Sequence, residues 1–208
     1  MRDESLSDAD VRRLKLQLYL ALSAAFCVCY FSLQRFPLFS TRTLSLTSLD
    51  RAIGFHPEGI YVYQSVYVLV PLFPFLSRTR GQLTQYTRGF LWLCGISFLI
   101  FALVPIVCPR PDDETSVAMF QLMTSYDGKI NTIPSLHVGL SVYSVLFGAR
   151  LARDAPRLRP MVWIGAVWAA AIAYSALATK QHYAVDVPPG AALAWMAHRA
   201  ASMWSARS

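Results

Sequence analysis

The fold class this sequence predicts is an all-α bundle of about six transmembrane helices, on three observations. Its composition is 55% hydrophobic and only 15% charged, which is that of a membrane protein. Its apolar residues gather into long runs instead of recurring at the period of a water-facing helix. Its cations sit in the short segments between those runs. No linker in the 208 residues is long enough to separate a second body from the first, so one membrane domain over residues 1–208 is expected. The net charge of +7 does not point to nucleic acid, because a nucleic-acid binder concentrates its cations in a tract or on one face. It points to topology instead.

A hydrocarbon core roughly 30 Å thick asks for about 20 apolar residues per helix. Six segments answer. The first covers residues 16–36 and is closed by Arg35 and Pro37. The second covers 60–76, with Pro71 and Pro74 as candidate kinks. The third covers 89–107 and stops at Cys108-Pro109-Arg110-Pro111. The fourth runs from Pro134 to Arg150, the fifth over 161–178, and the sixth over 183–203 with Pro188, Pro189 and Gly190 near its start. Residues 1–10 are acidic and lack the character of a cleavable leader, so the first span is expected in the mature protein behind a short cytoplasmic segment, 1–15.

Lysine and arginine counts set the orientation. With the amino terminus cytoplasmic, thirteen of the 19 cations fall inside and six outside, the bias of a protein with both termini in the cytoplasm. The compact chain with short ends leans towards a bacterial inner membrane. Both the 110–137 loop and the turn at Lys180–His182 then face the non-cytoplasmic side. The acidic trio Asp112, Asp113 and Glu114 in that loop reads as solvated. Cys27, Cys29, Cys94 and Cys108 lack metal-ligand spacing and read as packing residues. His56 and His198 read as interfacial.

Two stretches carry chemistry: Asn131-Thr-Ile-Pro-Ser-Leu-His137 and Thr179-Lys-Gln-His-Tyr-Ala-Val-Asp186. His182 and Asp186 are four apart, a spacing that on a helix stacks them on one face. The carboxylate can then fix one ring nitrogen of His182 and leave the other as nucleophile or base. His137 is the complementary acid–base group. Pro134 and Ser135 mark a helix start, whose free amides favour an anion. Arg110, Lys180, Lys129 and Asn131 join Ser135 as the candidate phosphate-binding set, a donor array that needs neither metal nor cofactor. Two other readings stay open: a two-histidine, one-carboxylate metal hydrolase using the same three residues, and a proton relay in a transporter or lipid-binding protein.

The chain resembles the type 2 phosphatidic acid phosphatase superfamily. Pro134-Ser135-Leu136-His137 stands where that family has Pro-Ser-Gly-His. Ser175-Ala176, five residues, His182, three residues, Asp186 matches the spacing of its third motif, with Ala176 in place of an arginine. Its first motif survives as Arg110-Pro111, with Leu103 where a lysine is usual. The likeness spans residues 104–191 and is closest to the inositol-phosphorylceramide synthase branch and its bacterial relatives. It implies His182 as a phosphohistidine-forming nucleophile, Asp186 as its orienting partner, His137 as general acid, and Arg110 and Ser135 as phosphate ligands, with Lys180 a further candidate. The implied substrate is a membrane phospholipid or polyprenyl phosphate, with a lipid alcohol as candidate acceptor. A pocket missing two cations fits a phosphodiester, which carries one fewer negative charge than a monoester dianion; Lys180 replacing the charge missing at Ala176 from another backbone position stays open beside it.

Overall fold

The structure is a computed structural model, and it describes residues 8–110 and 115–205. The acidic trio at 112–114 lies outside the described residues. Among the described residues, nine α-helices account for nearly all the regular structure. Their order is α1 (Asp8–Arg35), α2 (Ser48–Ile53), α3 (Ile60–Gln64), α4 (Val66–Phe75), α5 (Arg80–Leu103), α6 (Ala118–Tyr126), α7 (Leu136–Asp154), α8 (Arg159–Ala178) and α9 (Val187–Ser205). Two short strands, β1 (Arg42–Thr43) and β2 (Ile106–Val107), pair in parallel. The chain is thus an all-α membrane-type bundle. Among the described residues, three helical stretches are long and apolar enough to cross a membrane: Ala9–Arg35, Arg80–Leu103 and Pro156–Ala178.

Every expected span coincides with helix, but the bounds differ, and the first begins at Asp8, eight residues early. The second is broken into α3 and α4 at Ser65, whose hydroxyl donates to the Val62 carbonyl at 2.5 Å and accepts from Trp168 Nε1 at 2.7 Å. The third begins nine residues early, because Thr79 caps it by accepting from the Gln82 amide at 3.2 Å. It ends at Leu103; Pro105 follows, and Ile106–Val107 leave the helix to pair with β1. The fourth starts at Leu136 and runs to Asp154. The sixth starts at Val187 rather than 183, with Pro188 and Pro189 in its first turn, where a missing N–H costs nothing.

Helix α7 is the centre, packed by α4, α5, α8 and α9. Its polar residues therefore face protein: Ser141 and Ser144 are both fully buried. Ser144 also repairs a defect in α4. Pro74 has no N–H to give the Val70 carbonyl, and Ser144 Oγ and Tyr86 Oη donate to that oxygen instead, each at 3.0 Å. The core of Leu69, Phe73, Leu93, Phe101, Tyr143 and Phe147 fills the space around α7.

Candidate active site

The two motif stretches meet because α7 and α9 touch at their first turns. The Ser135 amide donates to the Asp186 carbonyl at 3.1 Å, joining the stretches through their backbones. Gly190 makes this approach possible: a Cβ there would stand 2.4 Å from the Ser135 carbonyl oxygen. Gly139 completes the fit one turn along, where a Cβ would meet the Gly190 carbonyl at 3.2 Å.

His182 and Asp186 do pair, though not on a helix as the spacing suggested. The chain turns at Thr179–Lys180, bends through Gln181–His182, and forms a single 3₁₀ turn at Ala184–Asp186. The four-residue spacing survives because Asp186 caps that turn, its Oδ2 accepting from the Tyr183 amide at 2.9 Å. The same oxygen lies 3.2 Å from His182 Nδ1. With Asp186 ionised, Nδ1 carries the proton and Nε2 keeps its lone pair. The Cys108 thiol points at Oδ2 from 3.5 Å and at Thr132 Oγ1 from 3.2 Å. Burial, reinforced by the Asp186 charge, pushes that thiol up to about 12, so it stays protonated beside the carboxylate.

His137 opens α7, and its ring centroid is 5.9 Å from that of His182. Tyr63 stacks on it at 3.9 Å and places its hydroxyl 2.9 Å from Nδ1. That hydroxyl donates to a neutral imidazole and accepts from a charged one, so one contact serves both protonation states. Each histidine thus has Nδ1 engaged and, among the described residues, Nε2 free. Both line a cavity of about 260 Å³ together with Asn131, Asp127, Leu136 and residues of α1, α3 and α4.

The candidate phosphate ligands divide. Asn131 is buried against this cavity with φ +67°, and neither amide atom has a hydrogen-bond partner among the described residues. Ser135 is fully buried and caps α7, accepting from the Val138 amide at 3.3 Å. Arg110 is turned onto the Asp127–Gly128 turn, donating to the two carbonyls at 2.7 and 3.0 Å with the Asp127 carboxylate at 3.9 Å. Lys180, at φ +54°, gives its ammonium to the Asp50 carbonyl at 2.6 Å. Lys129 is exposed. The position of the family's third-motif arginine is fully buried: Ala176 packs with Ile60, Tyr63, Phe120 and Met123, and its carbonyl accepts from the Gln181 and His182 amides. Among the described residues, no group of three or more His, Cys, Asp or Glu side chains is arranged to hold a metal ion.

Three contributors were not singled out in the sequence. Tyr63 had no motif around it. Asp127 anchors Arg110 and accepts from Tyr30 and Gln34 at 2.9 and 2.8 Å. Asp50 reaches across from α2: its Oδ1 accepts from the Ala184 amide, between His182 and Asp186, at 2.7 Å. Burial alone would raise its carboxyl, but the Thr47 and Ala184 hydrogen bonds and the Lys180 charge outweigh that and hold it below the usual range. The only local signal was Thr47-Ser-Leu-Asp50, a capping box that forms as written.

Comparison with known proteins adds one match. A family model described as the PAP2 superfamily matches residues 52–200, a range that takes in both motif stretches and leaves out α1 and Asp50. No curated protein and no solved structure matches the chain. The match supports a phosphatase- or phosphotransferase-type activity for the chain. By sequence motif, by the geometry that joins those motifs and by this match, the chain belongs to the PAP2 superfamily.

Proposed function

We propose that this chain is an integral membrane enzyme that cleaves or transfers the phosphoryl or phosphodiester group of a lipid at the non-cytoplasmic face, through a phosphohistidine on His182. The observation that carries the reading is the pairing of His182 with Asp186 beside a second, separately held histidine, both opening onto one largely apolar cavity. His182 Nε2 attacks phosphorus, and the bond from phosphorus to the leaving oxygen breaks. His137 supplies the leaving oxygen's proton from Nε2. Water or an acceptor alcohol then attacks the phosphohistidine, giving its proton to His137, and His182 departs. The Leu136 and His137 amides in the first turn of α7 and the unpartnered Asn131 amide would face the phosphoryl oxygens.

Within this class the pocket favours a monoanionic phosphodiester, as in head-group transfer between lipids. Arg110 and Lys180 are engaged with loop carbonyls, and Ala176 leaves no charge at its position. In six-span topology with both termini cytoplasmic, this site lies on the outer side.

The test is mass spectrometry of lipid products from purified protein in chelator, given phosphatidate, a polyprenyl diphosphate or phosphatidylinositol, with and without an alcohol acceptor lipid. The expected result is a new head-group lipid that requires the acceptor and disappears in His182→Ala. Free phosphate from the first two substrates would make the enzyme a phosphatase despite its missing cations. Identical product profiles for wild type and His182→Ala would overturn the covalent mechanism, and chelator-sensitive turnover would favour the metal-hydrolase reading.

A further inference from the structure

Helix α1 lies outside the range matched by the family model, yet it forms one wall of the cavity that reaches both histidines. It is fastened by polar contacts near its two ends. Lys15 Nζ donates to the Phe75 carbonyl at 2.7 Å, and Tyr30 and Gln34 donate to Asp127 at 2.9 and 2.8 Å. Fifteen residues separate Lys15 from Tyr30, about 22 Å of helix. Between these fastenings α1 leans on the core through Leu22 and Phe26, whose ring lies 5.5 Å from that of Phe98, yet none of its apolar window is fully buried inside the protein.

Two cavities adjoin along α1. The cavity of about 260 Å³ at the histidines shares Tyr19, Ser23, Val70, Pro71 and Phe90 with a second of about 70 Å³ that extends to Lys15 and Phe75. Along α1 the lining residues fall at Tyr19, Ser23, Phe26, Cys27 and Tyr30, three or four apart, so they form one helical face. The groove also has a polarity gradient. Asp127, Asn131, Gln64 and the two histidines stand at one end, whereas Val70, Pro71 and Phe90 stand at the other. An amphiphile whose phosphate sits at the histidines would lay its tail there.

We propose that the groove under α1 binds the hydrocarbon chain of the substrate lipid, with α1 as the wall that sets which chains fit. This rests on the lipid-phosphoryl reading above and goes further by assigning the chain site to a helix outside the family region.

The protein carries its own probe. Cys27 lines the groove, whereas Cys29 on the same helix lines neither cavity, and both thiols are free and exposed. Alkylation of the full chain in nanodiscs by a small apolar maleimide, read by peptide mass spectrometry, uses Cys29 as internal reference. Hexadecylphosphonate, whose phosphorus–carbon bond resists phosphoryl transfer, is expected to slow Cys27 at least about fivefold relative to Cys29, whereas ethylphosphonate is not. Ser23→Trp, which fills the groove, should abolish that protection, and Leu20→Trp on the exposed face should keep it. Equal slowing of the two cysteines, no slowing, or protection that persists in Ser23→Trp overturns the proposal. Protection of Cys27 without turnover of any lipid would sustain the chain site and defeat the phosphoryl-transfer reading. Turnover without protection would do the reverse.

Discussion

Asp50→Asn is the substitution that asks most of the site's geometry, because it touches neither histidine and lies outside the family-matched range. The native carboxylate spans two elements: Oδ2 takes the Thr47 amide and hydroxyl at 2.9 and 2.6 Å, and Oδ1 takes the Ala184 amide at 2.7 Å. Asparagine keeps the volume but loses the charge and one acceptor oxygen, so one side of the span must weaken. A hydrogen bond to a buried charge is worth about 1.5–3 kcal/mol. If that energy goes into holding the 182–186 turn, its loss lowers the occupancy of the reactive arrangement by roughly ten- to a hundredfold. The deficit should fall on kcat, with KM within about threefold, because Asp50 does not line the cavity. The assay is steady-state turnover of whichever lipid the product screen identifies, beside a melting curve to exclude unfolding. Lys180→Met sharpens it. If Lys180 only clasps Asp50, the two substitutions are non-additive and leave inhibition by phosphate analogues unchanged. If Lys180 binds phosphate, KM rises and inhibition weakens independently of Asp50. Asp50→Asn with kcat within twofold of wild type would refute the positioning argument.

The other predictions are shorter. Asp50 has a depressed folded carboxyl, so the folded state binds fewer protons than the unfolded one in acid. Its stabilisation is full above the unfolded value of about 3.9 and is lost as pH falls through the folded one. The melting-temperature gap between wild type and Asp50→Asn should therefore be constant near neutrality and close below about pH 4. Gly190→Ala puts a methyl against the Ser135 carbonyl, a backbone atom that cannot rotate away. It should cost about 1–3 kcal/mol and separate the two motifs, with activity lost below the melting temperature; wild-type turnover would show that the α7–α9 contact does not set the site. Tyr63→Phe keeps the stack on His137 and removes the hydroxyl, so kcat should fall about two- to tenfold with altered pH dependence. An unchanged pH–rate profile would separate Tyr63 from proton transfer.

The pairing of His182 with Asp186 was legible because the spacing that stacks two residues on a helix also lets a residue cap a 3₁₀ turn and reach back four positions. The helices were legible because their apolar runs are long; their edges were not, since Thr79, Pro105 and Ser65 act through local hydrogen bonds that a hydropathy window averages away. Asp50 was illegible for a different reason: its box with Thr47 is local, but its bond to Ala184 joins residues 134 apart, and no periodicity links them.

The same distance effect explains the electrostatics. Counting cations near the motifs credits Arg110 and Lys180 to the substrate. The loops that carry the site are partly buried, however, and their backbone carbonyls need donors as much as a phosphate does. Arg110 is drawn to the Asp127 and Gly128 carbonyls and Lys180 to that of Asp50. The cations that would neutralise a dianion thus hold together the loops that position the histidines. Formal charge in this motif region overstates what a ligand meets, and that is the ground on which a singly charged phosphodiester was proposed.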